Sequence, residues 1–370
     1  MVAFKDLLNR LNSENIDVRS TGPRLEADFR AQYLMNSHIA GIDETDLLLM
    51  VGTNPKTECP VLNARIRKAV MVNGLDVAVI GPGNNLTYNY KHLGNSLQTL
   101  QELADGTHPW SERFEQAELP MVLVGSDTLA RSDGKAIQNL INTLGQRNPN
   151  LINEAEAWNG VNILHSEASR CGALDLGITT KEPTTKAKVV FLLGADNFKH
   201  EDIPEDAFVI YMGTTGDEGV YYADLILPTA SYLEKDGSYV NMDGRLQMAR
   251  SAATPPGFAR EDWMVLRALS EELGTPLPYD SLDEVRTRLA ELAPHLVKYD
   301  YIEPSGFDNL AHAQNDERRL NNSLLTDAVD NFYMTDSISR NSHIMARCTK
   351  ELNPAKETNF KQWVNTWITH

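Results

Sequence analysis

Apolar residues recur along the chain with two different periods, and the periods separate helices from strands. Near the start, Phe4, Leu7, Leu8 and Leu11 recur at i, i+3, i+4 and i+7, which gathers them on one helical stripe. Beyond it, short unbroken apolar runs each end in glycine. Leu47–Val51 meets Gly52, Val77–Ile80 meets Gly81, Met121–Val124 meets Gly125, Val189–Leu193 meets Gly194, and Ala207–Met212 meets Gly213. Strands without polar alternation are buried on both faces, as in parallel sheets flanked by helices. Helical periodicity fills intervals between them. Pro60–Met71 turns Val61, Ile66 and Val70 inward, and Asp133–Leu144 does so with Ile137, Leu140, Ile141 and Leu144. The predicted fold class is α/β, with Rossmann-like parallel sheets flanked by helices.

The pattern changes near Ala252. Thr254-Pro255-Pro256-Gly257 is a breaker cluster, and a helix over Glu261–Leu273 follows, with Trp263, Leu266, Leu269 and Leu273 on one face. Gly274 and Pro276 end it. Ser281 and Glu284 form a capping box that opens a helix over Leu282–Leu292. Upstream, Lys235-Asp236-Gly237 and Asp243-Gly244 are turn signals around Tyr239-Val240-Asn241, the pattern of a hairpin or excursion. The chain thus divides into an α/β region over 1–250, a helical segment over 251–300 and a C-terminal docking tail over 301–370.

That tail is polar and poorly periodic from Tyr301 to His370, yet it keeps Leu324, Leu325, Phe332, Tyr333, Met334, Ile338, Met345, Trp363 and Trp367. Two readings stand side by side: it lies on another surface, or it packs on its own domain. Phe332, Tyr333, Met334 and Ile338 fall within seven positions. Fully burying each is worth roughly 1.5–3 kcal/mol, so an ordered anchor is expected. With Arg340 they are the candidate interface residues. Asp336 or Ser337 can cap a short helix through Ile338, Ile344 and Met345, with Arg340 and Arg347 on its polar side.

The glycine loops lack complete cofactor motifs. Leu86 stands where G-x-G-x-x-G needs a small residue after Gly81 and Gly83, and no G-x-x-x-x-G-K-[ST] occurs. Thr128 replaces the second glycine that a nucleophile elbow around Ser126 would need. The loops therefore read as strand exits. Charge excludes more. The 34 Lys and Arg against 51 Asp and Glu give −17, the wrong sign for binding nucleic acid or anionic lipid. No apolar stretch approaches the ~20 residues of a membrane span. An amphipathic presequence should be poor in acids, whereas Asp6 and Glu14 sit in the first helical segment. Cys59, Cys171 and Cys348 are far apart, and the closest histidines are His92 and His108, so no local cluster or zinc motif exists. Three cysteines suit a reduced compartment better than a disulfide framework. No catalytic, cofactor-binding or metal residue is expected in this chain.

Several strings carry a resemblance. Asn54-Pro55 with Asn63-Ala64-Arg65-Ile66-Arg67-Lys68, Ala223-Asp224-Leu225-Ile226-Leu227-Pro228, Glu234-Lys235, Asn241 and Gly244-Arg245 belong to it. So do Pro255-Pro256-Gly257, Ala259–Trp263 and Leu277-Pro278-Tyr279-Asp280; the most specific is Asp330–Arg340. Together they resemble the C-terminal half of the 75 kDa subunits of NADH:ubiquinone oxidoreductase, respiratory complex I, over about residues 1 to 350. That resemblance implies a molybdopterin-oxidoreductase-like fold kept as a scaffold without the molybdenum cofactor. It also implies a split version, in which a separate N-terminal half carries the iron–sulfur clusters. The departure is the missing cluster ligands, so no electron-carrying residue transfers onto this chain.

Two functions follow from the resemblance. The first is a structural subunit of the peripheral, NADH-oxidising arm of complex I. It has no redox centre of its own, touches other arm subunits and the cluster-bearing half, and lies on the matrix side of the mitochondrial inner membrane. The alternative is the C-terminal part of an active molybdopterin-dependent oxidoreductase, such as a formate-dehydrogenase-like enzyme. Asp224 and Pro228 read as fold markers, the proline ending a buried strand.

Overall fold

A computed structural model describes residues 1–18, 28–179, 186–198, 200–307, 320–321 and 323–353. Trp363 and Trp367 lie outside them. The chain forms two compact units, the first made of 1–182, 236–250 and 266–328, the second of 183–235, 251–265 and 329–370.

The first unit is built on a five-stranded parallel sheet of β1 (Leu47–Val51), β2 (Asp76–Ile80), β3 (Lys91–Gly94), β4 (Pro120–Gly125) and β7 (Val161–Leu164). A two-residue ribbon, β5 (Ile152–Asn153) with β6 (Trp158–Asn159), precedes β7. The spatial order is β3-β2-β1-β4-β7. Every residue of β1 is buried, and alternation sends them to opposite cores. Leu47, Leu49 and Val51 join one core with Leu100, Ile137 and Ile141, while Leu48 and Met50 join another with Leu62 and Ile66. This is why the run lacks polar residues. The predicted α/β class is borne out, and β1, β2 and β4 fall on the apolar runs. β3 and β7 escaped notice because Lys91-His92-Leu93 and Val161-Asn162 interrupt their apolar character.

Helices cover both faces: α1 (Val2–Arg10), α2 (Pro55–Glu58), α3 (Pro60–Lys68), α4 (Leu97–Asp105), α5 (Ser111–Glu115), α6 (Ser126–Leu129), α7 (Gly134–Arg147) and α8 (Arg170–Asp175). α7 buries Ile137, Ile141 and Leu144 as predicted. Two seams differ from expectation. Along α3 and just past it the buried line is Leu62, Ile66 and Ala69, spaced i, i+4, i+7, which turns Val61 outward at 84% exposure. In α1 the seam is Val2, Ala3, Asp6 and Leu7, with Leu8, whereas Leu11 falls beyond the helix and is exposed. The rotation is set by α10 (Leu282–Leu292), whose Arg288 donates to both Asp6 carboxylate oxygens at 3.0 and 3.1 Å. The Ser281–Glu284 capping box forms at the start of α10. The turn signals produce the antiparallel hairpin of β11 (Gly237–Val240) and β12 (Leu246–Ala249).

A buried carboxylate ties these pieces together. Asp175 ends α8 at 1% side-chain exposure. It accepts from Arg30 at 2.8 and 3.2 Å and from the Tyr33 hydroxyl at 2.7 Å, and His295 stands 3.2 Å away. Arg30 also donates to the carbonyls of Glu303 and Gly244. Gly244 holds φ +79°, and a Cβ there would come within 2.7 Å of the guanidinium.

The second unit holds a three-stranded parallel sheet of β8 (Val189–Leu193), β9 (Phe208–Gly213) and β10 (Leu225–Pro228), in order β10-β9-β8. Leu192, Val209 and Tyr211 form its core, with Phe198 edge-on to Tyr222. Expected to be buried on both faces, β9 is so from Val209 to Met212, whereas β8 is only partly covered and β10 is largely exposed. β10 is an edge strand with Leu225 and Ile226 half-exposed, so Pro228 ends an exposed strand and needs no ladder donor there. Val189 and Phe208 are half-exposed as well, because three strands supply too narrow a sheet to cover their own ends. In α9 (Asp262–Glu272), Leu266 and Ser270 are the buried residues; Trp263 and Leu269 are partly covered and Leu273 is exposed past the helix end.

Burial raises the Asp175 pKa, but hydrogen bonds from His295 and Arg30 outweigh it and hold the carboxyl below its ordinary value. A depressed carboxyl contributes stability above about pH 4 and loses it as pH falls. Asp175→Ala should cost about 3–5 kcal/mol at pH 7, since it leaves Arg30 uncompensated. Urea unfolding of both proteins checks this, and the gap should narrow below pH 4.

Candidate functional site

In open α/β sheets ligands bind outside the carboxyl ends of the strands, where the strand order reverses. In the first unit that point lies between β1 and β4. Gly52-Thr53-Asn54 leaves β1, and Gly125-Ser126-Asp127 leaves β4. The two loops fill the crevice between them. Thr128 Oγ1 donates to the Gly52 carbonyl at 2.8 Å. Gly52 has φ +56°, and a Cβ on it would sit 2.0 Å from Thr128 Oγ1; a Cβ on Gly125 would meet the Gly52 carbonyl at 2.6 Å. Glycine is required here for loop-on-loop packing.

The side chains around this point are acidic. The Glu58 carboxylate accepts from Thr53 Oγ1 at 3.0 Å and from the Asn54 N–H. Burial pushes its pKa up to about 7 against those hydrogen bonds, and the charges of Asp127 and Asp327 push the same way. Burial also raises Glu167, with Asp127 adding to it and Arg170 opposing from 3.0 Å. Asp127 accepts from Ser166 Oγ at 3.0 Å.

A late segment straps this end of the sheet. The Asn321 N–H donates to Asp133 at 2.8 Å, while Arg131 pairs with Asp133 and donates to Ser323 Oγ at 2.9 Å. Further along, the Leu325 N–H donates to the carbonyl of Asn95, just past β3, and Asn84, past β2, donates to Asp327 at 2.8 Å. Leu325 is 2% exposed and joins the main core, whereas its neighbour Leu324 is 61% exposed. Sequence reasoning missed this strap. Its one signal was an isolated Leu pair in a polar stretch.

The predicted interface residues sit elsewhere, in the second unit. Phe332 and Tyr333 pack edge to face with centroids 5.5 Å apart; Phe332 and Ile338 are exposed, and Tyr333, Met334 and Arg340 are partly covered. Asp336 caps α11 (Ser337–Arg340), accepting from the N–H groups of Ile338 and Ser339 at 2.9 and 3.0 Å. The single helix expected through Ile338, Ile344 and Met345 is instead two, because Ser342 caps a new one, α12 (His343–Leu352). Ile344 is exposed on it. Arg340, expected on a polar face, donates at 2.7 Å to the buried Asp217, and Asn341 donates to the Gly216 carbonyl at 2.8 Å.

Among the described residues, no group of three His, Cys, Asp or Glu side chains comes together to hold a metal. Cys59 precedes α3, Cys171 is buried in α8 and Cys348 lies on α12.

The family model for molybdopterin oxidoreductases matches residues 1–272. The chain belongs to that family. A second model, for the C-terminal region of an NADH-ubiquinone oxidoreductase subunit, matches residues 301–348, which include the described strap residues and α11. The 78 kDa subunit of mitochondrial NADH-ubiquinone oxidoreductase from Candida albicans is 45% identical, over 94% of this chain and 49% of its own length. The mitochondrial NADH dehydrogenase [ubiquinone] iron-sulfur protein 1 of Solanum tuberosum is 40% identical, over 94% and 47%. The 75 kDa subunit of Reclinomonas americana is 40% identical, over 94% and 53%. The resemblance read from the sequence is thus borne out, and the chain spans about half the length of the curated relatives it matches.

The family name implies an anionic, phosphate-bearing pterin at the strand ends, where free N–H groups and positive potential would be needed. The crevice presents Glu58, Asp127, Glu167 and Asp327, with its loops in contact and its mouth strapped. These residues do not fit such a group. Nor do three cysteines on separate elements fit an iron–sulfur cluster.

A carboxyl raised to about 7 contributes stability that is full below about pH 4 and lost as pH rises through 7. Between pH 5 and 8 the wild type should therefore lose up to about 3 kcal/mol that Glu58→Gln keeps, measured by urea unfolding at each pH. Leu325→Ala should cost about 2–5 kcal/mol at any pH in that range by emptying the strap's anchor.

Proposed function

We propose that this chain is a structural subunit of the peripheral, NADH-oxidising arm of respiratory complex I, acting as a scaffold without a redox centre of its own. The observation that carries the reading is the match of residues 301–348 to a complex I-specific C-terminal model, alongside 40–45% identity to 75 and 78 kDa subunits. The crevice chemistry supports it, since carboxylates and packed loops occupy the place where a catalytic relative would hold its cofactor. The scaffold works with a separate polypeptide that bears the iron–sulfur clusters, on the matrix side of the mitochondrial inner membrane. Phe332, Tyr333, Met334, Ile338 and Arg340 form a contact element for a neighbouring arm subunit. Arg340 ties it to its own unit through Asp217, while Phe332 and Ile338 offer apolar surface outward.

On a native gel the chain should migrate with NADH-oxidising activity, and metal analysis of the purified chain alone should find neither iron nor molybdenum near one per chain. Migration apart from that activity, or molybdenum at one per chain, would overturn the reading. Replacing Phe332 and Tyr333 together by Ala should lower the yield or melting temperature of the assembled arm while the isolated chain keeps its circular dichroism.

A further inference from the structure

The strap across the carboxyl ends of the first sheet is held by few contacts. Of its described residues within 321–328, Leu325 alone is buried; Asn321, Ser323, Leu324 and Thr326 are exposed, and Asp327 is half-buried. None of them joins a strand or a helix. The bonds that hold it run to single groups. Asp133 accepts from the Asn321 N–H, Arg131 donates to Ser323 Oγ, the Leu325 N–H reaches the Asn95 carbonyl at 3.4 Å, and Asn84 donates to Asp327 at 2.8 Å. A segment with one buried side chain and no ladder opens locally at lower cost than the sheet beneath it.

Carboxylates from three elements meet under this strap. Glu58 accepts from Thr53 Oγ1 and the Asn54 N–H inside the crevice, Asp127 stands on α6, and Asp327 comes from the strap itself. Burial keeps the Glu58 proton on up to about pH 7, and the charges of Asp127 and Asp327 act in the same direction. Around them, Lys56 on α2 donates to the Asn85 carbonyl at 2.8 Å, Arg170 pairs with Glu167 at 3.0 Å, and Arg131 pairs with Asp133 at 2.9 Å. His165, past β7, donates to the Tyr33 carbonyl at 2.6 Å, and burial pushes its pKa down to about 4, so it stays neutral from pH 5 upward. Asp127 is built into a helix, whereas Asp327 sits on the segment most easily moved.

We propose that the strap is a proton-controlled latch: it is shut while Glu58 is neutral, and loss of that proton sets three carboxylates against one another and shifts the strap towards an open minor form. Opening withdraws Asp327 and admits water, so Glu58 holds its proton more weakly in the open form. The shut form is therefore favoured at low pH, and opening increases as pH rises towards 7. Every group involved lies in the first unit, so the latch works whether or not the chain joins the proposed assembly.

The test follows hydrogen exchange by mass spectrometry in peptides covering 323–328 of the full chain. Rates at pH 5.5 and 8 are corrected for the intrinsic pH dependence of amide exchange. In the wild type the corrected rate should rise about threefold or more at the higher pH. Glu58→Gln, which cannot ionise, should hold it level. Asp327→Asn keeps an acceptor for Asn84 but removes the strap's charge, and should cut the rise by about half or more. Glu167→Gln should leave the rise intact. In 1 M urea the strap rate should stay within about twofold while amides of β1 speed up, because local opening exposes little surface. A wild-type rate that does not change with pH, or a rise that survives in Glu58→Gln, overturns the latch. So does a rise lost in Glu167→Gln, which would place the proton elsewhere, and so does strap exchange that accelerates with β1 in urea, which would mean that it opens only on unfolding. Should Glu58→Gln fail to give the wild-type circular dichroism, Asp327→Asn decides: an undiminished rise there sinks the proposal.

Discussion

Burial of β1 on both faces is the constraint on which the first unit depends. A strand of Leu47, Leu48, Leu49, Met50 and Val51 is buried on both sides, so elements must cover it twice, and its neighbours β2 and β4 run parallel to it, as in helix-flanked α/β sheets. Burial of that kind leaves polar obligations elsewhere. Asp175 meets the largest of them, gathering Arg30, Tyr33 and His295 from segments far apart in the chain. A charge removed from water is tolerable only with such a full set of partners.

At the carboxyl ends of the same sheet the loops that serve ligands in other open α/β sheets pack on each other. The glycines after β1 and β4 persist, but they serve contact between two loops. Glu58 satisfies the backbone of the β1 loop from inside, and the segment through Leu325 crosses the mouth. Carboxylates where phosphate would sit, and a strap whose leucine belongs to the core, fill this end of the sheet.

The second unit is covered less evenly: its central strand β9 is buried on both faces, while its outer strands are partly exposed. Its small sheet leaves apolar side chains half in water, and its C-terminal element commits its buried ion pair, Arg340 with Asp217, to attachment within its own unit. Both features turn apolar surface outward.

Apolar runs, glycine exits and cap residues were legible from the sequence because each depends on near neighbours. β1, β2, β4, α7 and the capping box of α10 appear where pattern put them, and the strings shared with 75 kDa subunits pointed to the family. What pattern could not decide was which side of a local element meets the rest. Val61 and Leu62 are both apolar and adjacent, and only the packing of α3 on its sheet exposes one and buries the other. Leu324 and Leu325 differ in the same way, because the strap that carries them crosses strands from a distant part of the chain and can seat only one of the pair in the core. β10 is as apolar as β1, yet it lies at an edge, because strand order is fixed by contacts between distant segments and not by the composition of any one of them.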